Sequence, residues 1–262
     1  MSSDNEKKNH PTILRGLIVL EKVIEAGRPI SGSELIEQLE LPKPTVNRIL
    51  QQLEESGLLL REPGNRRYMP GLRARQMAIG VMTNSAVGAP RHAILKALSE
   101  EIGETCNCTM LDGDHTVYFD RVEANWPFRI QLPVGSQMPL HCTASGKLFL
   151  AHMESRQRRR LISAAPLKRY TERTITDPEL LLNELKNTEK DGIGVDNEEL
   201  MTGMVAVAVP VFNQENKICF TLAVHAPTAR KSLEELRQYL PSLRRAAASM
   251  STIYCNPGDA EE

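Results

Sequence analysis

The sequence predicts an α+β protein with two domains, and three observations lead to this prediction. The chain has 262 residues, which suits two compact units better than one. Its first 75 residues contain three helical patterns and a short hairpin, whereas strands, helices and again strands follow from residue 105 onwards. Strands that are segregated from helices along the chain are typical of a mostly antiparallel sheet.

Composition points to a soluble globular protein with reduced thiols. Hydrophobic residues make up 41% of the chain and charged residues 25%, and no apolar run is long enough to span a membrane. The polar start, Met1 to His10, lacks a signal-peptide core, so a cytoplasmic location is expected. Five cysteines without a Cys-x-x-Cys pair favour neither a disulfide framework nor a zinc site. No metal or cofactor is expected.

Two helices are predicted at the start of the chain. Thr12 can cap a first helix that ends near Gly27, and its apolar residues recur at spacings of three and four. The expected core-facing stripe consists of Ile13, Leu17, Leu20 and Ile24. Ser31 and Glu34 then form a capping-box pattern for a short second helix.

A third helix carries the main functional prediction. Pro44 suits its first turn, since the N–H that proline lacks would be unpaired there, and the helix should end near Gly57. One face is apolar, while the other has no carboxylate before Glu54 and offers side chains that can read base edges in a major groove. A solvated helix face could have the same composition. The residues of this helix expected to contact DNA are Lys43, Thr45, Asn47, Arg48, Gln51 and Gln52.

A basic hairpin follows the third helix. Two strand-like runs, 58–61 and 66–69, flank the turn Pro63-Gly64-Asn65 and put Arg66 and Arg67 near its tip. Residues 42–75 contain seven Lys or Arg against three Asp or Glu, although the whole chain has a net charge of −1. This order of elements predicts a winged helix-turn-helix over residues 1–75 that binds double-stranded DNA, with the wing at the phosphates.

The rest of the chain predicts a linker helix over 76–89 and a second domain over 90–262, with Pro90 beginning a helix. The predicted strands are 105–111, 116–123, a third near 128–132, 204–212 and 218–225. The predicted helices are 143–153, 155–164, 178–190 and a closing helix over 232–254. Together they describe an α+β domain with a mostly antiparallel sheet.

Two groups of motifs resemble those of IclR-type transcriptional regulators. The run Leu-Pro-Lys-Pro-Thr-Val-Asn-Arg-Ile-Leu at 41–50 resembles the helix-turn-helix of that family. The segment 135–147, which includes Thr-Ala-Ser-Gly-Lys, and a later one from Thr171 to Phe212 resemble its sensor-domain signatures. The resemblance implies a GAF-like α/β sensor that binds a small organic acid, a near-palindromic DNA operator and a homodimer or homotetramer.

The resemblance also implies effector contacts at Met138, Ala144, Ser145, Asp196, Ala206, Ala223 and His225. From the residues themselves, the small side chains at 143–146 could let an anion reach the N–H groups of a helix start, or could belong to an ordinary capped helix. His225 could supply a positive charge or a donor for a carboxylate, or could be structural.

Catalysis is not supported by the residues, so no catalytic residue is expected. A phosphate-binding loop would need glycine where His141 stands and Ser or Thr where Leu148 stands. His141 and Cys142 would point to opposite faces of an extended segment and could not share a proton. A small-molecule hydrolase is therefore the weakest alternative. A second alternative is a DNA-binding regulator whose C-terminal domain only oligomerises.

Two further features have open interpretations. Trp126, beside a proline, can either pack against the domain or line a pocket. A basic run in the second domain is expected to form a solvated helix face or an interface rather than a nucleic-acid contact. This run consists of Arg156, Arg158, Arg159 and Arg160.

Overall fold

The structure is a computed structural model that describes residues 11–39, 41–62, 64–83, 85–126 and 132–254. The chain divides into two compact units, residues 1–81 and 82–262. Each unit has its own hydrophobic core.

The described residues up to 83 form four helices, the last of which extends two residues into the second unit, and a small antiparallel sheet. The helices are α1 (Thr12–Glu25), α2 (Gly32–Leu39), α3 (Lys43–Glu55) and α4 (Leu72–Thr83). The strands are β1 (Ile30–Ser31), β2 (Leu59–Arg61) and β3 (Arg67–Pro70), in the order β1-β3-β2. The sequence predicted the β2-β3 hairpin but not β1, whose two residues pair with Tyr68 and Arg67 and are too few for a periodic signal.

Local signals explain where two of these helices begin. The Oγ of Ser31 accepts the N–H of Glu34, and the carboxylate of Glu34 accepts the N–H of Ser31, so the predicted capping box is formed. Pro44 lies in the first turn of α3, as predicted. Thr12 does not cap α1: the helix begins at Thr12 itself, and Pro11 occupies the cap position without a side-chain bond.

The core-facing stripe predicted for α1 is wrong at three of its four positions, whereas the fourth, Leu20, packs against the core. The side chains buried by this helix are Val19 and Val23, whereas Ile13, Leu17 and Ile24 are 75%, 48% and 52% exposed. The helix is apolar on two sides, and spacing alone cannot decide which side meets the core of its own unit. An apolar stripe on α1 is therefore left facing outwards in the single chain.

The second unit is built around a six-stranded antiparallel sheet. Its strands are β4 (Thr105–Asp112), β5 (His115–Val122), β6 (Gln137–Pro139), β7 (Gly194–Asn197), β8 (Met204–Phe212) and β9 (Ile218–Pro227), in the order β6-β5-β4-β9-β8-β7. Its helices are α5 (Ser85–Ile102), α6 (Ala144–His152), α7 (Ser155–Ser163), α8 (Pro178–Asp191), α9 (Leu233–Arg237) and α10 (Leu240–Tyr254). The predicted α+β class with a mostly antiparallel sheet is confirmed.

The two faces of this sheet have different chemistry. One face carries a large apolar core in which α5, α9 and α10 pack on side chains such as Val207, Leu222 and Val224. Residues paired across strands share a face, so the register places Asn107, Ala206 and His225 together on the other face, where α6 packs. This second face provides the site described below.

Several expected elements differ from those observed. Pro90 does not begin a helix but lies inside α5, whose buried Leu95, Leu98 and Ile102 hold it on the core. The single closing helix is two helices, α9 and α10, and β7 was not predicted because its four residues carry little apolar character. The strand predicted near 128–132 lies mostly outside the described residues. The strand that pairs with β5 at the sheet edge is β6.

Candidate nucleic-acid interface and sensor cavity

The residues of α3 divide into a buried stripe and an exposed polar face. Val46, Ile49 and Leu50 are at most 3% exposed and pack in the core of the first unit. Thr45 is half-buried. The other predicted DNA contacts on this helix, Lys43, Asn47, Arg48, Gln51 and Gln52, are all exposed. The amide of Gln51 donates to Glu55 over 2.8 Å, so this side chain has an internal partner as well.

The hairpin turns its acidic residue inwards and its arginines outwards. Glu62 is 6% exposed and accepts a hydrogen bond from the side chain of Asn65. Arg66 and Arg67 are exposed, and neither forms an ion pair with another described residue. Arg61 differs, because it pairs with Glu54 over 2.9 Å and lies over the ring of Tyr68. The wing tip therefore presents free positive charge.

A small cavity lies on the polar face of the large sheet. Its volume is about 40 Å³, which is room for one or two water molecules. Its polar walls are Tyr118, Arg121, Asp196 and His225. The remaining lining residues are Leu132, Leu200, Met201, Met204 and Val205. Asp196 and His225 are the two predicted effector contacts that line it.

Asp196 is a buried carboxyl group held by backbone amides. It is 5% exposed, and its Oδ1 accepts the N–H of Glu199 over 2.7 Å and that of Leu200 over 3.4 Å. Burial nevertheless raises the pKa of Asp196 to about 7, because the loss of hydration outweighs these two hydrogen bonds. Asp196 can therefore carry a proton near neutral pH.

His225 is a neutral group, not a positive charge. Burial in the first place, and the positive charge of Arg121 in the second, lower the pKa of His225 to about 3. Its Nε2 forms a hydrogen bond with the side chain of Asn107, and its ring meets that of Tyr118 edge-on. The interpretation of His225 as a cation for a carboxylate is wrong, whereas a neutral donor role stays open.

The positive charge of the cavity comes from Arg121, which the sequence-based prediction missed. Its guanidinium lies 5.6 Å from the ring centre of Tyr118, and burial raises the pKa of Tyr118 to about 12, so this hydroxyl stays protonated. The available signal was an arginine inside the predicted strand 116–123. Arg121 also has an ion-pair partner, because its Nε lies 3.6 Å from Glu123 Oε1.

The other predicted effector contacts do not line the cavity. Ala144, Ala206 and Ala223 pack together with Leu148 and Ala208, where α6 lies on the sheet. Ser145 is 5% exposed on the same helix, and Met138 is half-buried on β6 opposite Thr116. The role of these residues as ligand contacts stays a prediction.

The start of α6 uses much of its own hydrogen-bonding capacity. The hydroxyl of Thr143 accepts the N–H of Gly146 and donates to the carbonyl of Pro139. A Cβ at Gly146 would come within 2.3 Å of the carbonyl oxygen of Leu140, so only glycine fits there. Of the two interpretations of 143–146, the ordinary capped helix agrees better with this geometry than the anion cradle.

The paired residues His141 and Cys142 lack the geometry of a thiol nucleophile and its base. His141 Nε2 bonds to the carbonyl oxygen of Lys168 over 2.9 Å. Cys142 is fully buried, and burial followed by the negative charge of Asp196 raises the pKa of its thiol. A buried thiol with a raised pKa is a poor nucleophile.

Two family models match the chain, and both bear the same family name. Residues 12–63 match the IclR helix-turn-helix domain, and residues 80–252 match the model described as bacterial transcriptional regulator IclR C-terminal. The chain belongs to the IclR family. As an IclR-family protein, it is a transcriptional regulator with a DNA-binding helix-turn-helix and an IclR effector domain.

Known relatives agree with this assignment over nearly the whole chain. The probable transcriptional regulator SauR of Cupriavidus necator is 46% identical over 242 residues, which cover 92% of this IclR-family chain and 96% of SauR. The crystal structure of the Thermotoga maritima IclR has a TM-score of 0.61 and 27% identity, covering 92% of this chain and 98% of that one. These relatives are regulators and not enzymes.

A third comparison concerns the effector domain alone. The PobR inducer-binding domain from Acinetobacter, as a double mutant in complex with 3-hydroxybenzoic acid, has a TM-score of 0.58 and 27% identity. It covers 62% of this IclR-family chain, and 95% of that domain is covered.

Among the described residues, no helix is both long and apolar enough to cross a membrane.

Proposed function

We propose that this regulator binds a near-palindromic operator through α3 and its wing, and a small organic acid through the cavity lined by Arg121 and Asp196. Residues 1–75 form the DNA-binding domain, 76–89 the linker and 90–262 the effector domain. The observation that carries the DNA part is the exposed face of α3, which has no acidic residue before Glu54, beside a wing tip with two unpaired arginines.

The operator contacts follow from this geometry. Arg48, Asn47 and Gln52 project from the face that is opposite the buried stripe, where they can reach base edges while Arg66 and Arg67 neutralise phosphates. Selection from a random double-stranded DNA pool should yield a palindromic consensus. Recovery of only sequence-independent binding would contradict the base-reading role of α3.

An acid effector is supported by the only full positive charge among the lining residues, Arg121, and by the neutral donors around it. The neighbouring PobR domain, whose title names 3-hydroxybenzoic acid, offers a precedent for an acid in this fold. Because the cavity holds only about 40 Å³, an acid must displace the side chains of Leu200 or Met201. The effector should therefore stabilise a rearranged loop.

A thermal-shift screen of aromatic and small aliphatic acids tests the sensor role. A ligand that binds the native state raises the melting temperature by mass action. An active acid should lose its effect in Arg121→Met, and Arg169→Met, an exposed arginine of the same unit, serves as the matched control. No shift across a broad panel would favour the alternative in which the C-terminal domain only oligomerises.

A homodimer or homotetramer is supported by apolar side chains that the single chain leaves uncovered. Ile13, Leu17 and Ile24 on α1 are about half exposed or more, and the same holds on α4 for Leu72, Met77 and Val81. Large apolar side chains clustered on a surface mark an association site. We propose that a second copy of the chain covers these side chains. The DNA-binding domains of the two copies would then fit the two halves of a palindromic operator.

A further inference from the structure

A buried ion pair lies beside the sensor cavity and outside its lining. Lys147 on α6 is fully buried, and its Nζ contacts Glu199 Oε1 at 2.5 Å and Glu184 Oε1 at 3.5 Å. The side chain of Glu199 is 7% exposed, whereas that of Glu184 is 33% exposed. Burying an ammonium group is unfavourable unless it is paired, so the pair needs a structural or functional reason.

Glu199 links this pair directly to the cavity. Its backbone N–H donates to the carboxyl of Asp196, which lines the cavity, over 2.7 Å. The loop 196–203, which begins with the last two residues of β7, contains both residues and also supplies Leu200 and Met201 to the cavity wall. The position of Glu199 therefore determines both the polar and the apolar wall that this loop contributes.

The same loop is held from a second direction by two threonines. Thr171 Oγ1 donates to the carbonyl of Glu198, and Thr174 Oγ1 donates to that of Glu199, each over 2.7 Å. Glu198 has a φ of 62°, a left-handed backbone conformation that residues other than glycine rarely adopt. Such a backbone persists only where its surroundings hold it in place. Here the hydrogen bonds from the two threonines do so.

We propose that Lys147 is a positioning residue of the sensor: by anchoring Glu199, it holds the loop 196–203, and with it Asp196, against the cavity. The residue does not touch the cavity itself. Its link to signalling rests on the proposed acid-sensing function, but its effect on the loop is measurable without any effector.

The charges of the pair also act on Asp196. The groups that face its carboxyl are Glu199 in the same loop, Lys147 on α6, Cys142 before α6, Tyr118 and Arg121 on β5, and His225 on β9. The negative charge of Glu199 raises the pKa of Asp196, and the positive charge of Lys147 lowers it. Removing the charge of Glu199 alone should therefore let Asp196 ionise at a lower pH.

Amide hydrogen exchange on the full chain tests the anchoring. Replacing both partners, as in Lys147→Met/Glu199→Met, avoids the uncompensated charge that a single substitution would leave in the interior. Peptides covering 196–203 should exchange about tenfold faster in this variant, because the loop loses its anchor, while α10 keeps its protection. The matched control, Arg230→Met/Glu104→Met, likewise removes both partners of another ion pair of the unit and should leave 196–203 unchanged.

A titration separates positioning from a merely structural role. In the full chain labelled with ¹³C at aspartate side-chain carboxyls, Asp196 should titrate at a lower pH in Glu199→Gln than in the wild type. Glutamine keeps the shape and the backbone N–H of Glu199, and the control Arg230→Met/Glu104→Met should leave the titration of Asp196 unchanged. Unchanged exchange of 196–203 in the double variant, or an unchanged Asp196 titration in Glu199→Gln, would overturn the proposal; neither result depends on finding an acid effector.

Discussion

At the residue scale, the two groups of basic side chains in the first unit have different expected roles. Arg48 lies on the exposed face of α3, next to the positions that can reach bases, whereas Arg66 lies at the wing tip. Base contacts carry sequence information, and phosphate contacts carry affinity and its dependence on salt.

Arg48→Ala should weaken binding to a selected operator by about 1 to 3 kcal/mol and relax its sequence preference. Arg66→Ala should weaken all DNA sequences about equally and reduce the dependence of affinity on salt. Fluorescence anisotropy at several salt concentrations measures both effects. Arg156→Ala, at an exposed position of α7, is the control and should bind like the wild type. Unchanged affinity in both test variants would refute the docking model.

Asp196 gives the effector domain a defined pH dependence. Its pKa in the folded state is raised from 3.8 to about 7, mainly by burial, so the folded protein binds the proton more tightly than the unfolded chain does. The stability contribution of the protonated group is therefore complete below about pH 4 and is lost as the pH rises towards about 7.

Asp196→Asn should remove this pH dependence, because asparagine keeps an oxygen for the N–H of Glu199 and carries no charge. Relative to the wild type, the variant should gain about 2 to 4 kcal/mol in unfolding free energy between pH 4 and pH 8. Urea unfolding at the two pH values measures the difference. An equal pH response of both proteins would mean that Asp196 is already ionised at pH 4.

At the element scale, the start of α6 shows why one glycine is indispensable. A Cβ at Gly146 would lie 2.3 Å from the carbonyl oxygen of Leu140, and backbone atoms cannot move away as a flexible side chain can. The resemblance singled out the Thr-Ala-Ser-Gly-Lys motif as a place of ligand contact. The structure gives its threonine a capping hydrogen bond, its glycine a close backbone contact and its lysine a buried ion pair.

Gly146→Ala should therefore destabilise the effector domain by about 1 to 3 kcal/mol, the usual cost of overpacking a well-packed site. Gly16→Ala is the matched control, since nothing lies within 4 Å of a Cβ there and alanine favours the helix α1. Thermal unfolding of both variants provides the measurement. A Gly146→Ala protein as stable as the wild type would show that this turn can relax.

At the scale of the whole molecule, the apolar face of α1 bears on assembly. Ile13 is 75% exposed and Leu17 is 48% exposed in the single chain, although their spacing predicted that they face the core. The apolar spacing of these residues predicts burial, although they are exposed in one chain. A second chain that covers them would explain this difference.

Ile13→Glu/Leu17→Glu should convert the assembly to smaller species, because two carboxylates per chain would be buried in the proposed interface. Light scattering after size-exclusion chromatography gives the molar mass. Leu180→Glu, a 63% exposed position on α8, is the control and should keep the wild-type mass. A test variant that also keeps the wild-type mass would place the interface elsewhere.

The successful predictions concern features that depend on interactions between residues close together in the sequence. The capping box of Ser31 and Glu34, the apolar stripe of α3, and the strands β8 and β9 depend on neighbours a few positions away, and each was found where it was predicted. The family followed from the same local motifs. The sequence did not predict the exposed stripe of α1, the two-residue strand β1 or the short strand β7. Residue spacing does not reveal which partner an apolar or short segment contacts.

Contacts between residues far apart in the sequence were determined only by the tertiary structure. Arg121, Asp196 and His225 come from three strands, and only the sheet register brings them to one cavity, where burial leaves His225 neutral and allows Asp196 to hold a proton. Lys147 and Glu199 are 52 residues apart in the chain, and their contact depends on how α6 packs on the sheet. Burial and electrostatics depend on three-dimensional surroundings, which explains why residue order predicted the exposed polar face of α3 but not the charge states of the cavity residues.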